Sequence, residues 1–126
     1  MPIDEVLIYI GAFIIVLCGI GHIAPTRPVV QGFGDISADN KKIITMEWIA
    51  EGLTLCFLGV LVGGITILGG KANPVSTHVY LISAVMLLVM AGLSAFTGAR
   101  TSIVPMKLCP YVKSAVAILF FLGSAL

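Results

Sequence analysis

The sequence predicts an all-α fold: a polytopic membrane protein built as one four-transmembrane-helix bundle over residues 1–126. Three observations carry that expectation. Hydrophobic residues make up 59% of the chain and mean hydropathy is +1.13, well above the near-half apolar share of a soluble domain. The apolar residues gather into four runs, about 6–24, 47–69, 78–98 and 108–126, each close to the ~20 residues an α-helix needs to cross ~30 Å of hydrocarbon. None of these runs alternates polar with apolar residues, as the strands of a membrane barrel do.

The first run follows "MPIDEVLIYIG", where Asp4 and Glu5 stand in place of the basic start of a signal peptide, so the run is expected to stay in the mature protein. The connection after it, about 25–46, holds Pro25, Pro28, Gly32 and Gly34 and then "SADNKK", in which Ser37 or Asp39 can cap the next helix. A helix capped at Asp39 and running to Gly69 spans ~45 Å at 1.5 Å per residue, so its first turns project into the headgroup region or the helix tilts. In this second run Gly59 and Gly63 have GxxxG spacing, and Ala84, Ala91 and Ala95 repeat along the third. Such small residues let helix backbones approach closely. Packing inside one bundle is the expectation, with a dimer seam as the alternative. "GGKANPVST" reads as a short turn, after which His78 and Tyr80 open the third run, Tyr80 as an interfacial anchor. "GARTSIVPMKLCP", broken by Pro105 and Pro110, leads into the fourth run.

Charge is sparse and unevenly placed. Of thirteen charged residues, Arg27, Asp35, Asp39, Lys41, Lys42, Glu47 and Glu51 crowd into one stretch of the chain. A net charge of +1 without a basic run argues against nucleic-acid binding, which needs a face of Lys and Arg to displace phosphate counterions. Six basic residues lie in or beside the first and third connections, counting Lys113 at the edge of the third, and only Lys71 lies in the second. That asymmetry places the first and third connections in the cytoplasm and both termini outside it. Cys18, Cys56 and Cys109 form no CxxC pair and read as reduced, packed thiols.

The polar residues that remain suggest a pocket at the cytoplasmic mouth. Glu47 and Glu51 share a helical face, four residues apart, with Trp48 between them as an interfacial residue. If Trp48 marks the headgroup level, Glu51 sits ~5 Å deeper, ahead of the apolar "GLTLCFLG", where an acid needs a partner or a water-filled pocket. Arg27 and Arg100 are candidate bidentate partners, with Lys107 a further cation. His22, one turn after Cys18, can titrate or hydrogen-bond. No spacing supports a metal site, and His78 lies at the opposite end from His22, too far to share an iron with it.

"CGIGHIAP" and "AEGLTLCFLG" resemble the glycine–histidine–proline and Glu-Gly-Leu patterns of the DoxX-like family of small four-helix membrane proteins; Gly19, Gly21, His22, Pro25, Glu51, Gly52 and Gly59 carry the likeness over the first half of the chain. The resemblance implies an inward polar face and, for some members, a subunit role in quinone-linked sulfur oxidation. The chain itself offers no flavin motif and no close cysteine pair, so an autonomous enzyme is not expected. The function expected is an accessory subunit in the lipid bilayer that binds a quinone, a lipid headgroup or another small amphipathic or anionic ligand through His22, Arg27, Glu47, Trp48, Glu51, Arg100 and Lys107. Two alternatives stand beside it: a dimeric proton-coupled transporter working through Glu51, and an assembly factor for a larger membrane complex with the charges as an internal lock.

Overall fold

The computed structural model describes residues 1–126 as five helices: α1 (Ile3–Ile23), α2 (Thr26–Gln31), α3 (Ala38–Leu68), α4 (Pro74–Phe96) and α5 (Val104–Ala125). A single 3-10 turn, Gly98–Arg100, follows α4. Helices α1, α3, α4 and α5 are long and apolar enough to cross a membrane. Large apolar side chains such as Phe13, Phe57, Ile82, Val89 and Leu93 are exposed on the outside of the bundle, a surface unusual for a soluble monomer and ordinary against hydrocarbon.

Local chemistry explains the helix boundaries. Ser37, rather than Asp39, caps α3 by accepting a hydrogen bond from the Asn40 N–H at 3.1 Å. Asp39 falls in the first turn, where its charge favours the helix dipole. The Asn73 side chain caps α4 from Val75 N–H, with Pro74 as the first helical residue. The first connection contains a helix that its prolines and glycines did not suggest: the Thr26 hydroxyl donates to the Ile23 carbonyl, and six residues coil into α2 before Gly34 takes a φ of 75°. The last helix begins at Val104, four residues before the apolar run, with Pro105 in its first turn. It continues through Pro110, which lacks an N–H and so removes one helical bond without ending the helix.

The four long helices pack as a ring in which each meets the next in sequence and α5 returns to α1, the α3–α4 contact being the sparsest. Ile8, Ile15, Leu55, Val62, Leu87, Val116 and Phe120 fill the centre. Helices α1 and α3 approach most closely at glycines. A Cβ added at Gly19 would lie 2.6 Å from the Gly52 carbonyl oxygen, and one at Gly59 would lie 2.7 Å from that of Ala12. Gly59 therefore serves the internal seam, while Gly63 has ordinary room beside Ala12. On α4, Ala84 and Ala91 are buried and Ala95 is exposed.

Tyr80 departs from the expectation of an interfacial anchor. It is 1% exposed, and its hydroxyl lies 2.6 Å from that of Thr66, which in turn donates to the Val62 carbonyl. The pair ties α3 to α4 along their sparse contact. Tyr80→Phe should lower thermal stability in detergent by about 0.5–1 kcal/mol, the usual worth of one such bond between apolar helices. Thr66 keeps its bond to Val62, so a cost of several kcal/mol would mean that Tyr80 does more than tie two helices.

Candidate functional site: a charge cluster shared by four helices

Each long helix contributes one residue to a polar cluster near the end of the bundle that carries α2. His22 comes from the last turn of α1, Glu51 from α3, Ser94 from the last turn of α4 and Lys113 from α5. Lys113 Nζ donates to Glu51 Oε1 at 2.7 Å and to Ser94 Oγ at 2.8 Å. The second carboxylate oxygen, Oε2, lies 3.2 Å from His22 Nε2. That approach is close enough for an ion pair but is not aligned as a hydrogen bond, so His22 Nε2 is buried without a hydrogen-bond partner.

Helix geometry accounts for how Lys113 reaches this level. Its Cα is nine residues into α5, or ~14 Å along the axis at 1.5 Å per residue. Helical side chains lean toward the N-terminus of their helix, so the four-carbon stem carries the ammonium back toward the α4–α5 connection. The stem packs among apolar neighbours and only the head needs polar partners. The Lys113 side chain is 1% exposed and that of Glu51 is 34% exposed, so the cation is enclosed and the acid keeps one open side.

Trp48 fixes His22 from the other direction. Its indole Nε1–H donates to the His22 backbone carbonyl at 2.6 Å, and the two rings stack with centroids 3.9 Å apart and planes 17° from parallel. A cavity of about 380 Å³ opens beside this stack between α1, α2 and α5, lined by Cys18, His22, Val29, Trp48, Cys109 and Val112 among others. A second hollow, about 560 Å³, shares Val29, Trp48, Ile103 and Met106 with the first. Trp48 thus lines both hollows. Apart from the His22 ring, the lining of the first cavity contains no ionisable nitrogen or carboxylate.

The structure brings together three of the residues chosen from the sequence, His22, Trp48 and Glu51, and leaves the others apart. Arg27 on α2 and Glu47 on α3 are exposed and make no ion pair. Arg100 lies over the Phe96 ring, 5.4 Å from its centroid. Lys107 lines a separate hollow of about 450 Å³ with Tyr111 and Ser114. The expected pairing of Glu51 with Arg27 or Arg100 is therefore replaced by Lys113 and His22. An enclosed ammonium one salt-bridge length away neutralises the acid where a surface arginine would have to leave water to do so.

Lys113 and Ser94 were missed by sequence reasoning. The signal for Lys113 was present: "YVKSAVAILFF" embeds a lysine in an apolar run, and an ionisable residue in such a setting calls for a partner. Its place at the edge of the basic third connection masks that signal. Ser94, a small hydroxyl in an apolar helix, carries no comparable mark. Cys18, Cys56 and Cys109 are all free thiols. Comparison of the chain with known protein families, with characterised proteins and with solved structures finds no match.

Proposed function

We propose that this chain is a multi-pass membrane protein that binds a small, flat, largely apolar molecule with polar oxygens, a quinone being the type, in the cavity between α1, α2 and α5. It serves there as an accessory subunit. One observation carries the reading: His22 both lines the cavity and faces Glu51 at 3.2 Å. A ligand oxygen at the His22 ring would be coupled to a carboxylate and an ammonium that can balance a proton's arrival or departure. The lining favours a neutral ligand over an anionic one, because Arg27, Arg100 and Lys107 lie outside it. Kinship with DoxX-like proteins is part of the same proposal, supported by the meeting of His22 and Glu51, two residues that carry the resemblance. So is the orientation, with α2 and the α4–α5 connection in the cytoplasm and both termini outside. Arg27, Lys41, Lys42, Arg100 and Lys107 still outnumber Lys71 when Lys113 is counted inside a helix.

Trp48 is the sole tryptophan, so its fluorescence reports directly on the cavity wall. Titrating the protein in lipid nanodiscs with a short-chain quinone should give saturable quenching. Gly21 lines the cavity, and a Cβ added there meets nothing within 4 Å. Gly21→Leu should therefore fill the space without disturbing the helices and weaken binding about tenfold or more, the equivalent of a 1.4 kcal/mol penalty. Linear, unsaturable quenching that is the same in both proteins would remove the reading.

A second reading rests on the cluster alone. Glu51 and Lys113 together join the four helices, α4 through the Ser94 hydroxyl on the ammonium, and under this reading they form a lock; the protein is then an assembly factor whose partner recognises the locked bundle. Under that reading the Gly21→Leu protein retains its co-purifying partner and its cellular role, whereas a variant at Glu51 loses both.

A further inference from the structure

Two of the three cysteines face the same cavity although 91 positions separate them in sequence: Cys18 from α1 and Cys109 from α5 both line it, together with His22. The helix register brings them there. Where α1 and α5 cross at their other ends, Gly123 packs against the Asp4 carbonyl oxygen, which lies 2.9 Å from an added Cβ. Fourteen residues forward along α1 from Asp4 and fourteen back along α5 from Gly123 lead to Cys18 and Cys109. Fourteen residues are close to four whole helical turns, so the two thiols return to the faces that meet at Asp4 and Gly123. Cys56, by contrast, has its Sγ 3.7 Å from the Val16 carbonyl and packs in the α1–α3 seam beside Gly19.

We propose that Cys18 and Cys109 are a redox pair that reduces the ligand of this cavity. The inference rests on the quinone reading above and names the reaction. Two S–H bonds break and one S–S bond forms between the cysteines. The two electrons and two protons released convert a quinone to its hydroquinone, each carbonyl oxygen gaining one O–H bond. His22, in the same lining, is placed to pass a thiol proton to a quinone oxygen and is left unchanged. Cys109 Sγ rests 3.3 Å from the Pro105 carbonyl of its own helix, a contact it must leave to meet Cys18.

The test uses the reduced full-length protein, without oxygen, and tetramethyl-1,4-benzoquinone, whose fully substituted ring has no open position for simple thiol addition. Free thiols counted after denaturation should fall from three to one, with one equivalent of hydroquinone formed. Cys56→Ser should lose two of two thiols, and Cys18→Ser and Cys109→Ser should each lose none. Saturable Trp48 quenching with every thiol retained would overturn the redox pair while leaving the quinone reading intact. Absence of quenching and of thiol loss together would overturn both. Thiol loss that persists in Cys18→Ser or Cys109→Ser would place the oxidation elsewhere and likewise overturn the pair.

Discussion

Glu51→Ala should destabilise the protein by about 3–5 kcal/mol, the cost of leaving one member of a buried ion pair without its counter-charge. The direction of the asymmetry follows from burial. Lys113 is 1% exposed against 34% for Glu51, so removal of the acid strands an enclosed ammonium that retains only the Ser94 hydroxyl. Removal of the lysine leaves an acid with an open side and with His22 at 3.2 Å, and Lys113→Met should cost visibly less. The double variant Glu51→Leu with Lys113→Met should recover most of the loss, because apolar side chains of similar volume commonly replace a buried pair at little cost. Thermal unfolding of the unaltered protein, Glu51→Leu, Lys113→Met and the double variant in one detergent gives the cycle. Additive losses in the double variant would show that the two residues act independently.

The second large effect is expected at the crossing of α1 and α3. A methyl group at Gly52 would collide with the Ile23 side chain and lie 2.9 Å from the Gly19 carbonyl oxygen. Gly52→Ala should therefore cost about 1–3 kcal/mol, the range for forcing extra volume into a packed interior. Its effect should also appear at the site. Gly52 adjoins Glu51, and Gly19 is one turn before His22, so the close crossing is what brings imidazole and carboxylate together. Separating the backbones should unstack Trp48 from His22 and shift its fluorescence, whereas Gly64→Ala, where an added Cβ meets nothing within 4 Å, should leave the spectrum unchanged. A shift of equal size in both variants would detach the site from the glycine crossing.

The four helices were legible because hydropathy over ~20 residues is a property of the local chain. Ser37 was legible as one of two candidate caps because its hydroxyl acts within three residues. His22, Trp48 and Glu51 stood out as polar or amphipathic groups at the ends of apolar runs. What stayed hidden depends on how helices are set against each other. Tyr80 could be an anchor or a core residue depending on whether Thr66 faces it, and "THVYL" does not say. Pro110 suggested a break, yet packing of α5 against α1 and α4 carries the helix through it. The arginines of the connections lie on the same side of the chain's expected topology as Glu51 and so read as its partners in the sequence. The actual donor reaches up from below on a flexible stem, a geometry set by side-chain lean and invisible to a count of loop charges.

The ion-pair cluster that joins the four helices also bears on how such a chain is made. Lys113 follows Glu51 by 62 residues, and at ~5–20 residues per second of synthesis the acid waits roughly 3–12 s for its ammonium. During that interval α3 has His22 on the already finished α1 as its provisional counter-group. Ser94 and Lys113 complete the cluster only after α4 and α5 have followed. The order of birth of the four side chains is thus itself a folding constraint, and a ribosome stalled after α4 would hold a three-helix intermediate whose Glu51 is still short of its strongest partner.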